Sequence, residues 1–121
     1  MNAKKLVQGL TYRGSVTGKK QTYHVFSGAG FFLVLSFSRS KRGAGNFNVV
    51  EAAAVEYVHK RFAGKSGVTT SDVVKKTRRS RHVRNALAAL NMLYALAAMG
   101  RAKVDARRGG PKLFFNVHRT T

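Results

Sequence analysis

The chain has 121 residues, with 23 Lys+Arg against 4 Asp+Glu and a formal net charge of +19. Its 44% apolar and 10% aromatic residues are enough to bury a core, which excludes a disordered basic tail. The lack of cysteine excludes a disulfide framework, a thiolate nucleophile and cysteine-ligated zinc. The carboxylates Glu51, Glu56, Asp72 and Asp105 leave little for two-metal phosphoryl chemistry or a paired-carboxylate glycosidase. Such a charge destabilises a compact monomer by self-repulsion, so a polyanion, nucleic acid above all, is the expected partner.

Residues 1–45 are rich in aromatic, β-branched and Gly residues and offer three strand-like runs. Leu6 to Val16 is broken by Gly9 and Gly14. Gln21 to Phe26 follows the turn signal Thr17-Gly18-Lys19-Lys20, and Phe31 to Ser38 follows Ser27-Gly28-Ala29-Gly30. In the third run Phe31, Leu33, Leu35 and Phe37 share one face, and Phe32 and Val34 open the other. This run is expected at the centre of an antiparallel meander, buried on both sides at its start. The connector Arg39 to Gly45 is basic and glycine-rich.

Residues 46–121 are Ala-rich and read mostly as helix. Asn48 with Glu51 forms a candidate capping box, with Phe47 at the staple position opposite Ala52. Ala54, Val55, Val58 and Phe62 then make an apolar stripe that ends before Gly64. Thr69 or Thr70 starts a short second helix with Asp72 in its first turn. Ser80 is the expected cap of a third helix, whose stripe runs through Val83, Ala86, Leu87, Leu90, Leu93, Tyr94 and Ala97 to Gly100. Two strands follow, Ala102 to Ala106 and Lys112 to His118, around the turn Arg107-Arg108-Gly109-Gly110-Pro111.

Helix, short helix, helix and a β-hairpin with a basic tip: this order resembles a winged helix-turn-helix nucleic-acid-binding domain over residues 46–121. The resemblance is carried by VTTSDVVKKT, SRHVRNALAALNMLYALAAMG and RAKVDARRGGPKLFFNV. Within that superfamily the segment also looks like the winged helix of a basic eukaryote- and archaeal-type small-subunit ribosomal protein. It implies an α+β fold: an N-terminal β-meander over residues 1–45 and a winged-helix domain over 46–121, in one compact unit. Winged-helix regulators commonly dimerise, so the resemblance also implies a possible homodimer.

Charge placement marks the candidate interface. Lys75, Lys76, Arg78, Arg79, Arg81 and Arg84 fall within ten residues, with His82 and Asn85 beside them. A helix-turn-helix aims this region at the major groove, where Arg bonds guanine bidentately and Asn85 could read adenine. A wing would set Arg107 and Arg108 against phosphate or minor groove, with Arg101, Lys103 and Lys112 extending the patch. Lys19, Lys20, Arg39, Lys41 and Arg42 form a secondary basic set. The bland alternative, a solvated basic face, is weakened by the absence of interspersed acids.

Phe31, Phe32, Phe37, Tyr23 and Phe26 could form a stacking platform for unpaired bases, but aromatic stripes in strands more often serve a core, and no ribonucleoprotein signature is present. His24, His59, His82 and His118 are scattered without metal-ligand spacing, and no cofactor motif or catalytic constellation is found. Met1 to Ser15 holds no apolar signal core and Ala86 to Met99 is too short to span a bilayer, so the expected setting is intracellular and away from membranes: cytoplasm or nucleoid, or nucleus or organelle in a eukaryote.

The expected function is a non-catalytic duplex-DNA-binding protein, regulatory or architectural, using a basic recognition helix and wing. A structural RNA-binding (ribosomal or ribonucleoprotein) component is the alternative, and a small nuclease or strand-transfer enzyme a distant third.

Overall fold

The computed structural model describes residues 8–18, 21–37, 45–105 and 112–119. Four strands, β1 (Thr11–Thr17), β2 (Thr22–Gly28), β3 (Phe31–Phe37) and β4 (Gly45–Glu51), pair antiparallel in the order β1-β2-β3-β4. The fold is α+β: this sheet is followed by three helices and a small hairpin sheet. As expected, β3 is an interior strand, and every residue from Phe32 to Ser36 is buried.

β4 is a correction to the sequence reading. Asn48 and Glu51 do not form a capping box and Phe47 is no staple; both Asn48 and Phe47 lie in a strand, paired with Val34 and Leu35. β3 is apolar on both faces and has a second edge to satisfy. Asn46 to Val50 pairs with it along its length, which satisfies both backbones. The first helix, α1 (Ala52–Phe62), therefore starts at Ala52, and Glu51 makes no side-chain cap. The Ala52 amide instead donates to the Gly30 carbonyl at 3.0 Å, so the adjacent hairpin supplies what a cap would.

Register sorts the sheet into two faces. Val16, Val25, Phe32, Val34 and Val50 point inward and join the core, whereas Leu33 and Leu35 point the other way. Tyr23 and Phe32 thus belong inside, and Tyr23 stacks on Tyr94 with centroids 4.3 Å apart. Burial, with Tyr23 beside it, pushes the Tyr94 hydroxyl above its ordinary value of 10.0. In β1 a bulge between Tyr12 and Gly14 leaves Arg13 unpaired. Gly14 has φ +143, and a Cβ there would meet the Ala98 carbonyl oxygen at 2.6 Å. Only glycine lets β1 approach the backbone at Ala98 so closely.

In α1 the expected stripe Ala54, Val55, Val58 and Phe62 is buried. His59 is also buried, and its Nε2 donates to the His118 carbonyl at 3.0 Å, tying α1 to the C-terminal strand. The second helix, α2 (Thr70–Lys76), opens on a true capping box: Thr69 Oγ1 accepts from the Asp72 amide at 3.1 Å, and Asp72 Oδ2 accepts from the Thr69 amide at 3.0 Å. That amide bond holds the Asp72 carboxyl below its ordinary value of 3.8, the Thr69 hydroxyl and nearby Lys75 and Lys76 acting in the same direction against partial burial.

The third helix, α3 (Ala86–Ala98), is the centre of the molecule. It touches all four strands of the sheet, α1, α2 and β5 (Ala102–Val104). Ala89, Leu93, Ala95 and Leu96 are fully buried, and the one polar residue of its interior, Asn91, donates its amide to the Leu87 carbonyl at 2.9 Å. β5 pairs with β6 (Phe115–Val117), both shorter than the sequence suggests. Val68, between α1 and α2, bridges Phe115 from the other side through amide–carbonyl bonds of 2.8 Å in each direction. Residues from Val16 to Val117 enter one core cluster, and the sheet runs on through Glu51, so the division at 45/46 falls inside a structural unit.

Candidate nucleic-acid interface

Lys75 and Lys76 occupy the last turn of α2, where a cation suits the helix C-terminus. The helix stops at Thr77, whose buried hydroxyl donates back to the Val73 carbonyl at 2.6 Å. The Ser80 amide then bonds the Thr77 carbonyl at 2.9 Å, and Ser80 Oγ accepts from the His82 amide at 3.0 Å. Val83 packs on the core, and Asn85 Oδ1 caps α3 by accepting from the Ala88 amide at 2.8 Å. Short polar side chains thus shape the connector from within. The cations Lys75, Lys76, Arg78, Arg79, Arg81 and Arg84 all stay exposed, and no carboxylate lies between residues 75 and 85.

This geometry corrects the expected recognition helix. Ser80 caps a tight turn and not a helix; α3 starts at the Asn85 cap instead. Arg81, His82 and Arg84 therefore precede α3 on irregular chain, and the Asn85 carboxamide oxygen is committed to the cap. α3 itself carries no charge and packs on the sheet, α1, α2 and β5, with Ala86 and Leu87 of its first turn exposed, so it offers no cation of its own to a groove. A start at Ser80 would have put Arg81 and Arg84 three residues apart on one helix face, where like charges repel.

What the connector does build is an open cleft of about 730 Å³, lined by Lys75, Lys76, Arg78, Arg79, Arg81 and His82 with Tyr57 of α1. The Tyr57 and His82 rings lie 5.0 Å apart, tilted by 32°, and form its aromatic wall. A smaller cavity of about 280 Å³ adjoins it, sharing Arg81 and His82 and adding Arg84, Glu51, Val50 and Met92. Tyr57 went unsuspected in the sequence; the only signal is an aromatic three residues after Ala54, at the margin of the apolar stripe.

The remaining residues are less concentrated. Arg101 forms an ion pair with Glu56 of α1, both about half exposed, and does not line the cleft. Lys103 on β5 and Lys112 are exposed. Arg107 and Arg108, and the secondary set Lys19, Lys20, Arg39, Lys41 and Arg42, lie outside the described residues. Among the described residues no group of three or more His, Cys, Asp or Glu could hold a metal ion, and no helix is long and apolar enough to cross a membrane. Comparison with protein-family models, curated proteins and solved structures finds no match for this chain.

Proposed function

We propose that this chain is a non-catalytic nucleic-acid-binding protein of winged-helix type, regulatory or architectural, that grips duplex DNA by its backbone. The observation that carries the proposal is the segment from Lys75 to Arg84: six exposed cations with no carboxylate among them, five of which, all but Arg84, line a cleft with an aromatic wall. Phosphates are the ligand that such a surface neutralises, and Lys75 and Lys76 at a helix end with Arg side chains on irregular chain suit backbone contacts better than base edges. The winged-helix assignment is supported by element order, with Val68 pairing β6 and β6 pairing β5 after three helices. In this reading α3 is a scaffold that presents the connector. The β5–β6 pair is the wing, to which the sequence assigns Arg107 and Arg108, with Lys103 and Lys112 extending the patch.

Six neutralised phosphates give a log–log salt slope of about −5 on duplex DNA. Replacing Arg78, Arg79 and Arg81 together by Ala should cut that slope by about three units and weaken all sequences alike. A triple variant with unchanged affinity and slope defeats the placement. Structured RNA is the competing ligand, because a surface that contacts phosphates without a base-reading helix also suits it. Competition at matched salt decides, and a preference for RNA of about tenfold or more, which is about 1.4 kcal/mol, moves the assignment there.

A further inference from the structure

The outer face of the four-stranded sheet is chemically unlike the connector. Register places Tyr12, Phe26, Leu33 and Val49 in one row across it and Ser15, His24, Leu35 and Phe47 in the next. Leu33 and Leu35 are buried in its middle, yet Tyr12, Phe37, Phe47 and Val49 are 52%, 46%, 41% and 56% exposed. The rings form a continuous track over β1, β2 and β3. Phe26 to Tyr12 is 5.1 Å, Tyr12 to His24 is 6.0 Å and His24 to Phe37 is 6.4 Å between centroids. The Tyr12 hydroxyl and His24 Nδ1 share a hydrogen bond of 3.2 Å. Glu51, the one carboxylate in register with this face, pairs with Phe31 at the end of β3 away from Phe37.

We propose that this face is a second nucleic-acid site, one that takes unpaired nucleotides by stacking bases on Tyr12 and Phe37 along the ring track. Two facts select that occupant. The chain carries a net charge of +19, which draws a polyanion and repels a second copy bearing the same charge. Exposed rings on a sheet offer bases a π-surface whatever their sequence, and Ser15, His24 and the Tyr12 hydroxyl add hydrogen-bonding groups for base edges that a lipid would not use. Tyr12 and Phe37 line neither the connector's cleft nor the smaller cavity beside it, where Val49 of this face meets Arg81 and Arg84, so the stacking residues can be tested apart from the connector.

The test uses the whole chain with labelled oligothymidylate and labelled duplex DNA at matched salt. Tyr12→Ala combined with Phe37→Ala should weaken oligothymidylate by about tenfold or more and leave the duplex within about twofold, whereas Tyr12→Phe, which keeps the ring and loses only the hydroxyl, should cost oligothymidylate far less and leave the duplex unchanged. Tyr12→Leu with Phe37→Leu retains the apolar volume and removes the π-faces, so it repeats the result if the Ala pair melts early. The connector variant at Arg78, Arg79 and Arg81 should show the opposite ranking, and its failure would count against the duplex site alone. Oligothymidylate affinity that is absent, or indifferent to both pairs of substitutions, overturns the proposal. So does a dimer of the unaltered chain in sedimentation that either pair dissociates, which would make the face a self-association surface.

Discussion

The connector from Thr77 to Asn85 and helix α3, which follows it directly, divide the chemistry of the chain between them. The connector has no regular structure, exposes every one of its charges and is shaped by hydroxyl and carboxamide hydrogen bonds. α3 has no charge, and buries seven of its thirteen residues outright. The difference teaches that surface charge and core packing are carried by separate segments in this protein. Cations on the connector face solvent, so they can change without opening the core, while α3 can serve as the hub of the core because no charge has to be desolvated there.

The largest effect expected from this division is at Leu93, which is fully buried in the middle of α3. Leu93→Ala should cost about 2–5 kcal/mol in denaturant unfolding, with nucleic-acid affinity of the folded fraction unchanged. An affinity loss in that fraction would show that the two regions are coupled. At the other end of the helix, Gly14→Ala forces a Cβ toward the Ala98 carbonyl from a φ of +143, and about 1–3 kcal/mol should be lost. Unchanged stability there would mean that β1 can draw back from α3.

Asn85 stands at the border. Asn85→Ala removes the cap and should lower stability by about 1 kcal/mol in thermal melting, without altering preference among duplex sequences. A change in preference would return base reading to this residue and blur the comparison. The smallest effect is at Asp72. Its carboxyl is held low in the folded chain, so its contribution is complete above its ordinary value of 3.8 and is lost as pH falls through the lowered folded value. Asp72→Asn should flatten the acid limb of a stability–pH profile, and an unaltered limb would show that the cap carries no proton linkage.

Much of this architecture is legible residue by residue. The strands at Thr22–Gly28 and Phe31–Phe37, the α1 stripe and the Thr69–Asp72 start of α2 agree with the local signals. The failures sit where one signal serves two structures. Asn48 with Glu51 fits a capping box as well as it fits an alternating strand, and Ser80 and Asn85 both fit the start of a helix. The aromatics of the first half divide the same way: Tyr23 and Phe32 face the core, while Phe26, Phe31 and Phe37 are on the outer side by register.

The chain by itself determined where the charge lies, that a core must exist, and that six cations crowd a short segment without acids. Those are properties of composition and spacing, and no neighbour can alter them. Tertiary structure decided that Asn46 to Val50 would be a strand, because β3 had an unpaired edge to satisfy. It also decided that α3 would start at the Asn85 cap and bury its middle, Ala89 and Asn91 to Leu96, because the sheet, α1, α2 and β5 pack against it there. The cations were thereby left on the connector. A cap, a strand edge and a buried helix each draw their energy from a partner far away in sequence, and only the folded chain supplies that partner.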